Sequence, residues 1–385
     1  MIKISYAVQP LCSNIKTGIG YYSYNLLKNI INQSTHDNYE LDFHVFDFLG
    51  KNSGKEKIKA LYQDQNINIK VNNMIPNGIY LRSQAFFKYF SYEHLFNSKS
   101  DITHFFNYLI PRKIRSKTIT TIYDMVYKLY PETMDKGNYN LLDKGLERSC
   151  KESDLIISIS ENSKAEIANY MNVPLSKICV VYPAVDFYDY FPQPKEKVNN
   201  ILKKYRITGD YILYLGTLEP RKNLMSLIKA FFEVKERNKG LKLVLAGNKG
   251  WKYQEIFNLV SSLNLSKSVI FTGYVDEIDK PALYSGALIF IFPSYYEGFG
   301  MPPLEAMACG VPTIVSNSSS LPEVVGNSGL YINPNYHEDI ASKINLLLQD
   351  ESLRLHLIEE GQKQAQNFSW IDSAKKTLEA YKKLV

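Results

Sequence analysis

Short apolar runs rich in β-branched residues alternate with longer segments of helical periodicity along almost the whole chain. In the first half of the chain, the short apolar runs lie at residues 3–8, 41–48, 101–106, 118–123, 155–160 and 178–182. Helical periodicity lies between them over 21–31, 139–149 and 163–170, and the last of these helices is expected to begin at an Asn162 cap with a Ser163–Glu166 capping box. This order predicts parallel βαβ units and therefore an α/β fold with doubly wound sheets.

The alternation stops at a proline- and charge-rich stretch, residues 191–200, and then starts again. Further strands are expected at 211–215, 241–246, 269–271, 287–292 and 313–315, followed by a long helix over 341–367 and a terminal helix after Trp370. The interruption predicts a linker between two Rossmann-like domains, residues 1–190 and 191–385, with the last helix packing back on the first domain. Doubly wound sheets bind ligands at the carboxyl ends of their strands, so a cleft between the domains is the expected ligand site.

Composition excludes several classes of protein. The chain has 385 residues, of which 45% are hydrophobic and 22% charged, which is enough apolar mass for two cores. Its net charge of +6 is spread evenly over both halves, which argues against a nucleic-acid partner. The cysteines and histidines show no metal-ligand spacing, residues 1–8 resemble a strand more than a secretory signal, and no run reaches the ~18 apolar residues of a membrane span. These features predict a soluble cytoplasmic protein without a metal or a disulfide.

The densest chemical signal is the string FPSYYEGFGMPPLEAMACG, residues 292–310. A strand ends at its beginning, and Gly298 and Gly300 allow a ligand to approach the backbone closely. The two prolines suit the first turn of a helix that Gly310 ends. Because the first N–H groups of a helix are unpaired and lie at its positive end, this loop predicts an anion site.

Two carboxylates, Glu297 and Glu305, flank this anion site. A carboxylate repels a phosphate, so both are expected to accept hydrogen bonds from sugar hydroxyls. The alternative for Glu305 is that it only complements the dipole of the helix.

A second string, LGTLEPRKNL at residues 215–224, places Arg221 and Lys222 where a helix begins after a strand. Arginine offers a planar fork and lysine a mobile point charge, and together they can neutralise a diphosphate leaving group. An Arg-Lys pair is also common on solvated surfaces, and its position after a core strand favours the functional interpretation.

These two strings resemble the retaining, GT-B-fold nucleotide-sugar glycosyltransferases of family four, the glycosyltransferase group 1 type. The likeness covers nearly the whole chain and is strongest over residues 211–334. It implies that Glu297 lies near the transferred sugar, that Glu305 binds the ribose hydroxyls, and that Lys222 and Arg221 hold the diphosphate. The donor-binding residues that it implies besides these are Gly18, Gly20, Gly216, Thr217, Tyr274, Val275, Gly298, Phe299, Gly300 and Met301.

The chain departs from the family pattern at two positions. Thr217 stands where many members have an arginine, and Tyr123 stands where the family has a histidine before Asp124. A tyrosine hydroxyl can donate a hydrogen bond to a sugar but cannot act as an imidazole does near neutral pH. We expect Asp124 and Tyr123 to share the contact with the sugar and the enzyme to be active, because its other motifs are intact.

No DxD motif occurs in the sequence, so a metal-clamped diphosphate is not expected. The resemblance implies retention of the anomeric configuration, with the leaving phosphate taking the proton of the acceptor. The predicted catalytic residues are therefore binding and electrostatic groups, namely Glu297, Asp124, Tyr123, Lys222 and Arg221.

The acceptor is indicated only by composition. Residues 77–99 combine Phe86, Phe87, Phe90 and Phe96 with basic side chains, and a basic cluster follows at 112–117. This pattern suits a lipid-linked acceptor or a peripheral contact with an anionic membrane. The alternative is an ordinary helix packed on the sheet of the first domain.

The sequence thus predicts a hexosyltransferase that builds surface polysaccharide from a nucleotide-diphosphate sugar on a glycan or lipid-linked acceptor. GDP-mannose is favoured as donor through the family resemblance, and UDP- and dTDP-sugars remain open. Two other functions are considered. A nucleotide-sugar 2-epimerase of the same fold would need a histidine such as His104, and a non-catalytic nucleotide-sugar-binding module would explain Tyr123 and Thr217.

Overall fold

The computed structural model describes residues 1–13, 18–34, 39–50, 53–62, 67–82 and 91–385. The chain divides into two compact units. The first comprises Met1–Leu129, Met134–Pro183 and Trp370–Val385, and the second comprises Tyr130–Thr133 and Ala184–Ser369.

The first unit is built on a parallel sheet of seven strands, which are β1 (Ile2–Ala7), β2 (Tyr39–Phe46), β3 (Asn68–Asn72), β4 (Ile102–Phe105), β5 (Lys117–Ile122), β6 (Leu155–Ser158) and β7 (Ile178–Val180). Their spatial order is β3-β2-β1-β4-β5-β6-β7. The helices of this part of the chain are α1 (Gly18–Ser34), α2 (Gly54–Leu61), α3 (Asn77–Arg82), α4 (Tyr92–Leu95), α5 (Val126–Leu129), α6 (Lys136–Glu152) and α7 (Glu161–Met171). Both directions from β1 are thus used, which is the doubly wound order.

The second unit has a parallel sheet of six strands, which are β8 (Tyr211–Leu215), β9 (Lys242–Ala246), β10 (Val269–Gly273), β11 (Ile289–Phe292), β12 (Thr313–Ser316) and β13 (Gly329–Ile332). Their order is β10-β9-β8-β11-β12-β13. Its helices are α8 (Lys195–Lys204), α9 (Leu224–Arg237), α10 (Gln254–Ser262), α11 (Lys280–Ser285), α12 (Met301–Ala308), α13 (Leu321–Val325), α14 (His337–Gln349) and α15 (Glu351–Ala365). The residues of β8 and β11 are all buried, as expected of central parallel strands covered on both faces. The prediction of two doubly wound α/β sheets is confirmed.

The last helix, α16 (Trp370–Lys382), belongs to the first unit. The edge of the Trp370 ring packs against Tyr22 at a centroid distance of 5.7 Å, and Gln33 of α1 donates a hydrogen bond of 2.8 Å to the carbonyl of Ile371. Its Tyr381 hydroxyl lies 2.6 Å from His104 Nδ1 in the sheet core.

Three local predictions were wrong. The predicted linker, 191–200, contains the first turns of α8, which begins directly after Pro194. The long helix over 341–367 is two helices, because Asp350 leaves the helical conformation and caps α15 by accepting a hydrogen bond from Leu353 N–H. The cap of α7 is Ser160 rather than Asn162, since its hydroxyl accepts the Ser163 N–H at 3.0 Å.

The segment 77–99, for which lipid contact and packing on the sheet are the two interpretations, lies partly outside the described residues. These exclude 83–90 and with them Phe86, Phe87 and Phe90. Phe96 is buried and stacks on His44 at a centroid distance of 4.3 Å, which agrees with the alternative of an ordinary helix packed on the first unit. Among the described helices, none has the length and apolar character needed to cross a bilayer.

Candidate functional site

The carboxylate of Glu297 lies between two cations of the second unit. Lys222 Nζ lies 2.5 Å from Glu297 Oε1, and Arg221 Nη1 lies 3.1 Å from Oε2. Strands β8 and β11 are neighbours in the sheet, and the segments that carry these residues follow their carboxyl ends. The pairing of two parallel strands therefore brings two distant parts of the sequence into one ion cluster.

Arg221 also holds the loop before Glu297 in place. Its Nη1 donates a hydrogen bond of 2.6 Å to the carbonyl of Tyr296, and its Nη2 contacts Glu219 at 2.8 Å. Both terminal nitrogens of the guanidinium thus bind groups of the protein itself, whereas the sequence predicted that they bind a diphosphate. Its positive charge still lies at the loop.

The charge of Glu297 is strongly stabilised. Burial alone would raise the pKa of this carboxyl, but Arg221 and Lys222 outweigh burial and lower the pKa to about 2. Burial, followed by the charge of Arg221, lowers the pKa of Lys222 from its ordinary value. These three side chains together carry one net positive charge at neutral pH, and the Glu219 carboxylate on Arg221 offsets it.

This pKa predicts how the stability of the second unit depends on pH. The folded carboxyl stays ionised down to a pH of about 2, whereas in the unfolded chain it is protonated near 4.5. The stabilisation is therefore complete above pH 4.5 and is lost as the pH falls toward 2. We expect the free energy of unfolding of the wild type to fall by about 2 kcal/mol more than that of Glu297→Gln between pH 5.5 and pH 3.

Urea unfolding of both proteins at a series of pH values measures this difference. Glu297→Gln is expected to be less stable at neutral pH, because it leaves two buried cations without their counter-charge. If the free energy of unfolding of the two proteins changed with pH in the same way, the cluster would not lower the pKa of Glu297.

Glu305 lies on α12, is 5% exposed, and is held by a neighbouring helix. The hydroxyl of Tyr284 on α11 donates a hydrogen bond of 2.8 Å to Glu305 Oε2. Burial raises the pKa of Glu305, and Lys280 opposes that rise. Lys280 itself contacts Glu277 at 2.5 Å. Tyr284 and Lys280 were missed by the sequence analysis, because nothing in the local pattern indicates that α11 faces α12.

The loop between the two glutamates is fixed by serines that the sequence analysis also missed. Ser320 Oγ lies within 2.8 Å of the carbonyl of Glu297 and 2.6 Å of that of Phe299, and the Glu297 N–H donates to Ser319 Oγ at 2.9 Å. Gly300 has a φ of 124°, and a Cβ there would lie 2.9 Å from Leu321 Cδ2. Only glycine therefore fits directly before α12. The first turn of this helix carries a single backbone N–H, that of Met301, because Pro302 and Pro303 have none.

The other predicted donor-binding residues of this unit lie at the carboxyl ends of β8, β10 and β11. A Cβ on Gly216 would lie 2.6 Å from the Tyr214 hydroxyl, which in turn donates to the carbonyl of the exposed Thr217. After β10, Tyr274 is 49% exposed and Val275 is buried. The remaining residues of this group, in the loop and at the start of α12, are Gly298, Phe299 and Met301. The sheet thus collects the predicted group along one edge.

The predicted residues of the first unit are arranged differently from expectation. The Tyr123 side chain is buried, and its hydroxyl donates a hydrogen bond of 2.9 Å to the carbonyl of Phe106. Asp124 follows β5 and accepts the Tyr108 hydroxyl at 3.1 Å. Gly18 and Gly20 form the first turn of α1 rather than a loop before it.

His104, which an epimerase would need, is completely buried. Its Nε2 lies 2.8 Å from Thr121 Oγ1, its Nδ1 contacts Tyr381, and burial lowers its pKa to about 3. Both ring nitrogens are engaged, so His104 has a structural role in the core.

Within the described ranges, no group of three or more histidine, cysteine, aspartate or glutamate side chains is arranged to hold a metal ion. The cysteines Cys12, Cys150, Cys179 and Cys309 are unpaired thiols.

Comparison with known proteins identifies both parts of the chain. The family model described as glycosyl transferases group 1 matches residues 198–364, and that described as glycosyltransferase family 4 matches residues 42–187. The chain is 33% identical to O-antigen chain mannosyltransferase B of Escherichia coli over the full length of both proteins. It is 32% identical to O-antigen chain mannosyltransferase RfbU of Salmonella typhimurium over 61% of this chain and 62% of that protein.

Solved structures show the same fold. The sucrose-phosphate synthase of Thermosynechococcus elongatus superposes with a TM-score of 0.74 at 18% identity and covers all of this chain and 99% of its own. Anabaena HepE in complex with UDP-glucose superposes with a TM-score of 0.71 at 17% identity over both whole chains. The full-length relative and the two family models together show that the chain belongs to the group 1 glycosyltransferases of family 4.

Proposed function

We propose that this glycosyltransferase is a retaining hexosyltransferase that moves a sugar from a nucleotide diphosphate to a glycan or lipid-linked acceptor in surface polysaccharide synthesis. The observation that carries the proposal is the ion cluster of Glu297 with Lys222 and Arg221, close in the chain to the Met301 N–H that begins α12. Such a fixed set of dipoles and charges suits a reaction in which negative charge develops on a departing diphosphate.

In this proposal each charged group has a separate task. The backbone N–H groups of Gly300 and Met301 and the ammonium of Lys222 hold the diphosphate, while Arg221 adds charge and fixes the loop. Glu305 accepts hydrogen bonds from the ribose hydroxyls, with Tyr284 holding its second oxygen. Glu297 faces the transferred sugar, where an ionised carboxylate stabilises the positive charge that develops at the anomeric carbon.

The reaction needs no protein nucleophile. The anomeric C–O bond to the diphosphate breaks, a new C–O bond to the acceptor hydroxyl forms on the same face, and the leaving phosphate oxygen takes the acceptor proton. The cationic and amide groups supply the charge stabilisation, so we propose that transfer does not require a metal ion. Retention of configuration follows from attack on the face that the leaving group vacates.

We assign acceptor binding to the first unit. Asp124 lies at the carboxyl end of β5, where ligands bind in such sheets, and is proposed to contact the sugar. The Tyr123 hydroxyl is already used by the carbonyl of Phe106, so we propose that Tyr123 positions Asp124 rather than contacting the sugar itself.

Mannose from GDP-mannose is the proposed donor, and the names of the O-antigen mannosyltransferase relatives support it. Anabaena HepE, a fold neighbour, was solved with UDP-glucose, which keeps a UDP-sugar as the second candidate. Arg112, Lys113 and Arg115 are exposed, and we propose a cytoplasmic enzyme that contacts the anionic inner face of the membrane through them. Vesicles containing anionic lipid at low salt should bind the protein, and failure to bind would remove this part of the proposal.

A panel of donors tests the function. We expect one class of nucleotide sugar to raise the melting temperature with EDTA present, and the same donor to give a transfer product with retained configuration once an acceptor is added. Glu305→Ala should lose the shift, because the ribose contact is lost. An epimerised sugar from donor alone would instead indicate an epimerase, and binding without any product would indicate a binding module.

A further inference from the structure

Three consecutive serines after β12 hold the loop that carries Glu297 in place. They are Ser318, Ser319 and Ser320. Strands β11 and β12 are neighbours in the sheet, so the segments that follow them lie side by side at its carboxyl edge. The Ser318 hydroxyl donates a hydrogen bond of 3.0 Å to the carbonyl of Tyr295, which attaches the first part of the loop. The loop is therefore anchored on the connection that follows the neighbouring strand.

The main chain of Glu297 is held on both sides by two of these serines. Its N–H donates to Ser319 Oγ at 2.9 Å, and its carbonyl lies 2.8 Å from Ser320 Oγ. The carboxylate of the same residue is held from another strand, through Lys222 and Arg221. Glu297 is thus fixed at its main chain from β12 and at its carboxylate from the segment after β8, which restricts the positions that its side chain can take.

Ser319 has an unusual backbone conformation for a serine. Its φ is 53°, in the left-handed region where glycine is favoured because a Cβ is crowded there. A serine in this conformation costs free energy that a glycine would not cost. Strained residues of this kind cluster at active sites, where the surrounding structure maintains them.

The hydrogen bonds of the Ser319 hydroxyl account for the presence of a serine. The hydroxyl accepts the Glu297 N–H and donates to the carbonyl of Ser318 at 2.8 Å, so it acts both as acceptor and as donor. A glycine would suit the backbone better, but it would leave the Glu297 N–H without this acceptor. The backbone conformation and the attachment of Glu297 therefore favour different residues at position 319.

We propose that Ser319 is a positioning residue for sugar transfer, whose hydroxyl fixes the main chain of Glu297 and thereby the carboxylate that faces the transferred sugar. The proposal rests on the proposed function, which places Glu297 at the anomeric carbon. Stabilisation of a developing charge depends on where the opposite charge lies, and a displacement of about 1 Å can reduce a rate about a hundredfold. Ser319 acts through Glu297 and contacts no substrate itself.

Another serine of the chain has the same backbone conformation and provides a matched control. Ser53 of the first unit has a φ of 45°, is exposed, and its side chain makes no capping hydrogen bond to α2. Replacing either serine with glycine relieves the same kind of strain. Both glycine variants should melt within about 3 °C of the wild type, because relief of strain offsets the greater freedom of glycine in the unfolded chain.

Ser319→Gly is expected to lower kcat at least about tenfold while the donor still binds. The initial rate of GDP release from GDP-mannose, with methyl α-mannopyranoside as acceptor, gives kcat and KM, and titration calorimetry gives the Kd of GDP. KM for the donor and the Kd of GDP should stay close to the wild-type values, since Lys222 and Glu305 are unchanged. Ser53→Gly should transfer at the wild-type rate. A Ser319→Gly variant with the kcat of the wild type would overturn the proposal.

Two further variants separate the hydroxyl from the backbone. Ser319→Thr keeps the hydroxyl but adds a β-branch that fits the left-handed region less well, so it should transfer at close to the wild-type rate and melt at a lower temperature. Ser319→Ala keeps the strain and removes the hydroxyl, so its kcat should fall as in Ser319→Gly. Activity is thus expected to follow the hydroxyl. If kcat instead followed the melting temperature across the three variants, Ser319 would have a structural role only and the proposal would be overturned.

Binding by the wild type separates this proposal from the proposed function. A wild type that binds neither GDP-mannose nor UDP-glucose would refute the proposed function. If UDP-glucose is the donor that binds, release of UDP replaces release of GDP in the assay. A wild type that binds and transfers, together with a Ser319→Gly variant that transfers equally well, would refute the positioning role alone.

Discussion

Replacing Lys222 with methionine is expected to lower the free energy of unfolding of the second unit by about 3 kcal/mol and to reduce sugar transfer by at least about a hundredfold. The lysine is buried and lies 2.5 Å from Glu297. Its removal leaves a buried carboxylate with Arg221 as its remaining partner. It also removes a cation that the proposal places at the departing diphosphate.

A double-mutant cycle separates these two effects. Adding Glu297→Gln to Lys222→Met removes the unpaired charge and should restore much of the stability, whereas transfer should stay low. Lys363→Met is the matched control, since Lys363 lies 2.6 Å from Glu359 on the surface of the same unit. That exposed pair contributes at most about 1 kcal/mol to the free energy of unfolding. Urea unfolding and initial rates of transfer measure both quantities, and full recovery of transfer in the double variant would contradict the role given to Lys222.

The second large effect is expected from Glu305→Gln. Hydrogen bonds from hydroxyls to a charged carboxylate contribute about 1.5–3 kcal/mol, so the donor should bind about ten- to a hundredfold more weakly. Glutamine can still accept the Tyr284 hydroxyl, which preserves the local structure.

Titration calorimetry with the nucleotide sugar and with its nucleoside diphosphate measures this loss, which should be similar for the two ligands because both carry the ribose. Glu338→Gln, on the exposed surface of α14, is the control and should bind both ligands as the wild type does. Glu297→Gln should reduce kcat more than it weakens binding of the nucleoside diphosphate. Equal losses in binding for Glu297→Gln and Glu305→Gln would contradict their separate roles.

The sequence predicted the fold where its patterns were local. Central strands such as β8 were found with their bounds, because buried parallel strands form continuous apolar runs. The two strands that were missed, β3 and β13, are both at the edge of their sheets. An edge strand pairs on one side only and needs less apolar sequence, as in the NIKVN of β3.

The residues of the candidate site also fall into those that a local pattern reveals and those that it does not. Residues that act through spacing within one loop, such as Glu297 and Gly300, could be identified from the sequence, and the left-handed φ of Gly300 explains why glycine stands there. Partners supplied by other elements could not be identified. Arg221 donates to the carbonyl of Tyr296, and the Tyr123 hydroxyl donates to the carbonyl of Phe106. No local pattern indicates that these segments lie close together.

The central claim is that one edge of the second sheet holds a nucleoside diphosphate through the N–H groups of Gly300 and Met301, through Lys222 and through Glu305. A crystal structure of the protein with GDP or UDP tests it most directly. We expect phosphate oxygens within about 3 Å of the Gly300 or Met301 nitrogen and ribose hydroxyls donating to the Glu305 carboxylate. A bound nucleoside diphosphate that contacts neither the Gly300 and Met301 N–H groups nor Glu305 would contradict the account.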